Sequence, residues 1–295
     1  MHHVYSKEHL LANPLRRVGF GLASLVFSIS AQANFLVPAY FYPSLDPNQS
    51  YWDEMTSAAS KTAITAIVNP NSGPGLVANS DYTRAINDFR SAGGKVVAYI
   101  PTNYGARNQA DVLADFASYV SFYPIDGVFL DEMSNQTSTL GYYQAVYGAI
   151  KSANANYQVF ANPGMQTDEA FLSAADVLVT YENQTHYAAY TPEAWTANYS
   201  ANHFANLLYN VGNQQEMQAD LVQISHNNVG YFYITDDHLT NPNSLNNPWD
   251  TLPSYWNAEV QAVSSVPEPT NAALMLIGLG LIGLTQSKRR ASAQS

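Results

Sequence analysis

Eight short apolar runs alternating with helix-like stretches predict an α/β fold, a (β/α)8 barrel of the TIM type. The runs are rich in Val, Ile, Tyr and Phe, as strands buried on both faces should be. No run ends in the Gly-rich phosphate loop of an open doubly wound sheet, since Gly73-Pro74-Gly75 is too short and carries a proline.

Taken in order, the expected strands are Leu36–Pro43, Ala63–Asn69, Lys95–Pro101, Ile125–Asp131, Gln158–Asn162, Asp176–Tyr181, Ala205–Asn210 and Gly230–Thr235. Helical patterning predicts helices over Asp81–Ala92, Asp111–Phe122, Leu140–Ala153 and Glu216–Asn227. Asp81 and Asp111 are the expected N-caps, and Gly93-Gly94 the expected helix stop. No linker interrupts this region, so residues 34–265 read as one domain, with its boundary at Ser264–Pro269.

Two flanking segments read as sorting signals. In residues 1–33, Arg16 and Arg17 precede an apolar run, Val18–Ser30, and Ala31-Gln32-Ala33 offers a signal peptidase small residues at the positions it reads. The run is too short for a permanent span, and the Arg pair also admits a twin-arginine route. In residues 266–291, Val266-Pro267-Glu268-Pro269 precedes an apolar stretch, Ala272–Leu284, and then Lys288, Arg289 and Arg290. This order resembles the PEP-CTERM sorting signal of Gram-negative bacteria. The resemblance implies exosortase as a processing partner, transient membrane anchoring through the C-terminal helix, and a final place at the cell surface or in the extracellular matrix. A plain C-terminal anchor is the alternative.

The chain is 46% hydrophobic and 12% charged, which suits a globular fold and excludes a disordered one. Setting aside the flanking Glu8 and Glu268 and the six flanking Lys and Arg residues, the domain carries a formal charge near −15, against −11 for the whole chain. Such a surface repels nucleic acid and anionic lipid, and suits neutral or cationic partners such as deacetylated amino sugars. There is no cysteine, hence no disulfide and no thiolate metal site. His186, His203, His226 and His238 show no metal-ligand spacing, and Asp236-Asp237-His238 on one short loop is a poor cage, so neither metal nor cofactor is expected. No Gly-X-Ser-X-Gly elbow marks a serine hydrolase.

In a barrel, polar residues at the C-terminal ends of strands face the active site. Those ends hold Tyr40, Asn69, Tyr99, Asn103, Tyr104, Asp131, Glu132, Asn162, Tyr181, Glu182, Asp236 and Asp237. Aromatic faces stack on pyranose rings, while amides and carboxylates bond hydroxyls, so the set suits sugar binding. Asp131, Glu132 and Glu182 are the candidate catalytic residues, because glycoside hydrolysis needs two carboxyl groups flanking one bond. Strands spaced about 4.8 Å apart let side chains from the fourth and sixth ends approach within that reach. Asp131 and Glu132 cannot both follow strand alternation inward, so the loop must turn one of them. An isolated acid in such a place is usually a helix cap or loop charge; three converging acids are not. Asp236 and Asp237 serve equally well as caps or as sugar ligands.

Runs of residues also resemble spherulin-4 (spherulation-specific family 4) proteins: Val37–Pro43, Ile67–Gly75, Val97–Gly105, Ile125–Glu132, Ala161–Gly164 and Val179–Glu182, in order. The resemblance implies a (β/α)8 barrel and a hydrolase related to fungal enzymes that cut galactosaminogalactan between α-1,4-linked N-acetylgalactosamine units. The family's acidic triplet would fall on Asp131, Glu132 and Glu182. Two other readings stay open: a non-catalytic polysaccharide-binding matrix protein, and a deacetylase of amino sugars.

Overall fold

The computed structural model describes residues 34–46, 50–184, 187–239 and 247–264. The expected sorting segments, 1–33 and 266–291, lie outside them. Among the described residues eight strands form: β1 (Asn34–Ala39), β2 (Ile64–Val68), β3 (Lys95–Pro101), β4 (Gly127–Asp131), β5 (Gln158–Ala161), β6 (Val177–Gln184), β7 (Phe204–Tyr209) and β8 (Tyr231–Ile234). Each pairs in parallel with the next, and Asn34↔Tyr231 and Phe35↔Phe232 join β8 to β1, closing the barrel.

The strands form because their residues are buried on both faces. All five residues of β2 are buried, as are all four of β8. Phe35, Phe129, Phe160 and Phe232 are shielded from solvent and anchor the core. Leaving the ladder earlier than expected, Tyr40, Asn69 and Asn162 belong to the mouth rather than to strands. By contrast, β6 runs three residues past the expected end. A register shift between Val179 and Tyr181 re-aims the last residues of that strand.

Six described helices cover the outside: α1 (Tyr51–Ala59), α2 (Ser80–Ser91), α3 (Gln109–Phe122), α4 (Leu140–Ala153), α5 (Gln214–His226) and α6 (Trp256–Ser264). In α2 the buried positions Tyr82, Ala85, Ile86 and Phe89 keep the helical period. Asparagines cap these helices, correcting the expected aspartates. Asn79 accepts from the N–H groups of Asp81 and Tyr82, and Asn108 accepts from that of Ala110. Asp81 and Asp111 sit instead in the first turns, where a negative charge favours the helix dipole. The Gly93-Gly94 stop is as expected: Gly93 has φ +101° and Gly94 N–H reaches Phe89 O at 3.0 Å.

The repeat is incomplete on one side. Among the described residues, only a 3₁₀ turn, Glu169–Ser173, lies between β5 and β6, and three short 3₁₀ turns lie between β6 and β7. Pro163 and Gly164 open the first of these connections and Pro192 interrupts the second, which removes room for a helix. Among the described residues, no helix is long and apolar enough to cross a membrane.

Candidate active site

Asp131 ends β4, opposite Pro101 of β3. The chain then turns sharply: Glu132 has φ +51°, and facing it Asn103 and Tyr104 have φ +47° and +53°. Three non-glycine residues in the left-handed region cost free energy, and such strain gathers at functional sites. A clasp holds it. Tyr104 N–H donates to Glu132 O at 2.7 Å, and Asn103 N–H donates to Glu132 Oε2 at 3.1 Å. Buried Thr102 sets its Oγ1 2.9 and 2.8 Å from the carbonyls of Asp131 and Glu132. Strand alternation carries Asp131 inward, and the clasp turns Glu132 toward Asn103. Tyr104 is left 63% exposed, its ring available at the mouth.

Asn162 follows β5 and is buried. Its Nδ2 donates to Asp131 Oδ1 at 2.8 Å and to Glu182 Oε2 at 2.6 Å, one hydrogen to each acid. Its Oδ1 accepts from Gly164 N–H at 2.9 Å, which fixes the amide's orientation. Glu182 N–H in turn donates to Gly164 O at 3.0 Å. Gly164 has φ +65°, and a Cβ there would sit 3.7 Å from Glu182 Cβ, so the position favours glycine for its backbone and its place against the acid.

The electrostatics follow from this crowding. Burial pushes the Glu182 carboxyl up to about 7, and the neighbouring Asp131 charge adds to the shift. Hydrogen bonds from Asn162 and the Trp249 indole oppose it. Asp131 is also raised, chiefly by burial, against hydrogen bonds from Tyr99, the Glu132 backbone and Asn162. Tyr40 and Tyr99 meet edge to face at 5.5 Å beside the two acids, and burial pushes both phenols up, so they stay neutral donors.

The structure thus brings together Tyr40, Tyr99, Asp131, Glu132, Asn162 and Glu182, with Asn103 and Tyr104 beside them. Four other expected sugar ligands lie elsewhere or are engaged. Asn69 Oδ1 accepts from Gly73 N–H at 3.0 Å within its own loop. Tyr181 faces away from Glu182, as neighbours on a strand do, and packs on Tyr187 and Tyr190 at 5.0 and 4.8 Å. Asp236 bonds the N–H and hydroxyl of Ser254, and Asp237 Oδ2 accepts from Thr251 Oγ1 at 3.1 Å. Of the two roles open to them, cap or sugar ligand, these last two acids are seen here bonding a later chain segment.

Sequence reasoning missed Trp249, Gly164 and Tyr209. Trp249 stands in no strand and carries no local signal beyond being an aromatic in an Asn/Pro-rich stretch. Gly164 was legible as the glycine of Asn162-Pro163-Gly164, but its contact with Glu182 was not. Tyr209 ends β7, where the expected run extended one residue further, and its phenol is pushed up by burial and by the Glu182 charge. Among the described residues, no group of three or more His, Asp or Glu side chains could hold a metal ion.

Comparison with known proteins fits this architecture. The profile of spherulation-specific family 4 matches residues 34–263. Spherulin-4 of Physarum polycephalum is 32% identical over 264 residues, covering 85% of this chain and 76% of the relative. Among solved structures, Sph3 of Aspergillus clavatus in complex with GalNAc superposes with a TM-score of 0.66 at 21% identity, covering 79% of this chain and 98% of that one. The ligand-free cyclic α-maltosyl-(1→6)-maltose hydrolase of Arthrobacter globiformis has a TM-score of 0.50 at 13% identity, covering 80% and 82%. At those identities the two structures speak for the fold. By profile and by identity to spherulin-4, the chain belongs to spherulation-specific family 4.

Proposed function

We propose that the protein is a glycoside hydrolase, with Asp131 and Glu182 as its working pair. The observation that carries this reading is the single Asn162 amide joined to both carboxyls. Two bonds from one nitrogen keep the accepting oxygens no farther apart than the two lengths laid end to end. That favours the about 5 to 5.5 Å separation of retaining enzymes over the wider gap that inverting enzymes need for a water.

In this reading, Glu182 enters the reaction protonated, because its carboxyl titrates at about 7. Its proton passes to the glycosidic oxygen as the C1–O bond breaks. Asp131, ionised, attacks C1 and forms a glycosyl ester. Glu182, now a carboxylate, takes a proton from water, whose oxygen displaces Asp131 and restores both groups. Glu132 holds the Asn103–Tyr104 turn, placing the exposed Tyr104 ring where a sugar face can stack.

The substrate class we infer is an amino-sugar exopolysaccharide with α-1,4-linked N-acetylgalactosamine or galactosamine, cut within the chain. Family membership and the GalNAc bound to Sph3 support it, as does the acidity of the domain, formally near −15. With an α linkage the 2-acetamido group is cis to the leaving group and cannot attack from behind, which leaves that task to Asp131. We further infer export by the 1–33 signal, a catalytic domain over 34–265, and exosortase processing at 266–291.

The test incubates the purified protein with partially deacetylated α-1,4-galactosamine polymer and reads products by mass spectrometry, beside Asp131→Asn. Oligosaccharides from the wild type alone support the reading. Glycan binding without products, across this and other matrix glycans, replaces it with the polysaccharide-binding matrix protein.

A further inference from the structure

The loops after β1 and β2 build a cleft of about 370 Å³ on the rim of the barrel mouth, within the range that small-ligand pockets occupy. Tyr42, Pro70, Asn71, Pro74, Val77 and Asp81 are among its walls. It adjoins the candidate site. Tyr42 stands two residues beyond Tyr40, no more than about 7 Å along the chain. The Tyr40 ring in turn meets that of Tyr99 at 5.5 Å, and Tyr99 pairs with Phe129, two residues before Asp131.

Tyr42 is 50% exposed, yet its ring is fixed. Its hydroxyl donates to Asp81 Oδ2 at 2.6 Å and accepts from Asn79 Nδ2 at 3.3 Å. The ring meets Tyr82 edge to face at 5.7 Å. An ordinary surface tyrosine trails its hydroxyl into water; here the polar end is occupied and apolar ring is left at the surface. A ring held in advance loses little conformational freedom when a ligand stacks on it.

The facing wall is held as firmly. Asn69 Oδ1 accepts from Gly73 N–H at 3.0 Å, and Asn71 N–H donates to Gly73 O at 3.2 Å. Ser72 between them has φ +49°, a left-handed conformation that a non-glycine residue adopts at a cost. Apolar surface gathers on the same rim. Among the described residues, ten large apolar side chains stay exposed, and five of them are Tyr42, Leu45, Leu76, Val77 and Tyr104. All five stand in the loops after β1, β2 and β3. A single exposed apolar residue is ordinary, but a run of them along one edge of a site marks a contact surface.

We propose that the Tyr42 cleft is a remote subsite, binding an amino-sugar unit of the same polysaccharide chain that lies over Asp131 and Glu182. The inference rests on the reading of the mouth as a glycan-cleaving site. It gives the bound chain a direction, from the acids toward the loops after β1 and β2. The chemistry suits a sugar: C–H faces stack on the ring, and hydroxyls bond the Asn71 amide and the Asp81 carboxylate. That carboxylate, in a domain formally near −15, also attracts the amine of a deacetylated unit.

The experiment uses the full chain and partially deacetylated α-1,4-galactosamine polymer with its oligosaccharides. Tyr42→Ala should lower kcat/KM on the polymer about threefold to tenfold, the size of one stacking contact. The loss should shrink as the substrate shortens, until an oligosaccharide too short to reach the cleft no longer senses the change. Leu76→Ser combined with Val77→Ser, at exposed positions that the fold does not need, should act the same way by less. Melting transitions verify that the variants are folded. Equal losses on long and short substrates, or none on either, overturn the proposal.

Calorimetry with the polymer on the Asp131→Asn background separates the cleft from the hydrolase reading. Tyr42→Ala should weaken polymer affinity about threefold to tenfold there as well. A wild type that releases no products, yet binds polymer through Tyr42, sinks the hydrolase and keeps the cleft. Products with a polymer affinity unmoved by Tyr42→Ala sink the cleft and keep the hydrolase. Neither products nor binding sinks both. An oligomeric state altered by Leu76→Ser with Val77→Ser, at unchanged polymer affinity, makes the rim a contact between copies and overturns the proposal.

Discussion

Asn162 Nδ2 lies 2.6 Å from Glu182 Oε2, a short bond to a carboxyl whose burial raises it to about 7. The same nitrogen serves Asp131, so one amide sets the spacing and the charge balance of the pair. Removing it should act on both acids at once. Asn162→Ala is expected to lower turnover about a hundredfold by loosening their geometry. It should also move the alkaline limb of the rate profile upward, since a donor to the ionised form is lost. Steady-state kinetics from acid to alkaline pH check both effects.

The wild-type profile should be bell-shaped. Activity is expected to fall above about pH 7, as Glu182 loses the proton it must donate. On the acid side Asp131 must be ionised, and its own upward shift places that limb above the usual aspartate range. The two limbs report apparent values of the pair. A flat profile through neutrality would contradict the assignment of Glu182 as proton donor.

Stability carries the same signature. Glu182 binds its proton more tightly folded than unfolded, so between its unfolded value and about 7 the folded state holds more protons. Stability from this group is present at low pH and lost as pH rises through that window. Glu182→Gln, uncharged throughout, should stabilise the protein by about 1 to 2 kcal/mol at about pH 8, allowing for partial solvent screening. At about pH 4, below the ordinary glutamate value, it should change little. Thermal melts at the two pH values measure the difference, while turnover of the variant falls by orders of magnitude.

Tyr104 combines strained backbone with an exposed ring. Tyr104→Gly removes both, so the fold should keep its stability within about 1 kcal/mol. Sugar affinity should fall by about threefold to tenfold, reflecting a lost stacking contact. Calorimetry with oligosaccharides on the Asp131→Asn background separates binding from turnover.

Much of the barrel was legible because strand burial leaves a compositional trace. Val128–Leu130 is apolar at every position, as is most of Val96–Ile100, and burial on both faces explains that. The two helices absent from the described connections were not legible, since a connection with Pro163 or Pro192 differs from a helical one only in a few residues. The exchange of Asp81 and Asp111 for Asn79 and Asn108 as caps is a matter of two or three positions, which local pattern does not resolve.

By itself, the amino-acid order determined the strands, their sequence around the barrel, and the acids at the ends of β4 and β6. These arise from short-range chemistry, namely apolar runs that stop at polar residues. Only the tertiary structure decided which polar residues converge. Tyr181 and Glu182 are adjacent in the chain yet face opposite sides, because a strand alternates and β6 carries an irregularity. Asp236 and Asp237 resemble site acids in composition, and only the fold shows that Ser254 and Thr251 bond their carboxylates. Asn162 joins Asp131 to Glu182 across 51 positions of sequence. Convergence of that kind depends on closing the barrel, and no local pattern encodes it.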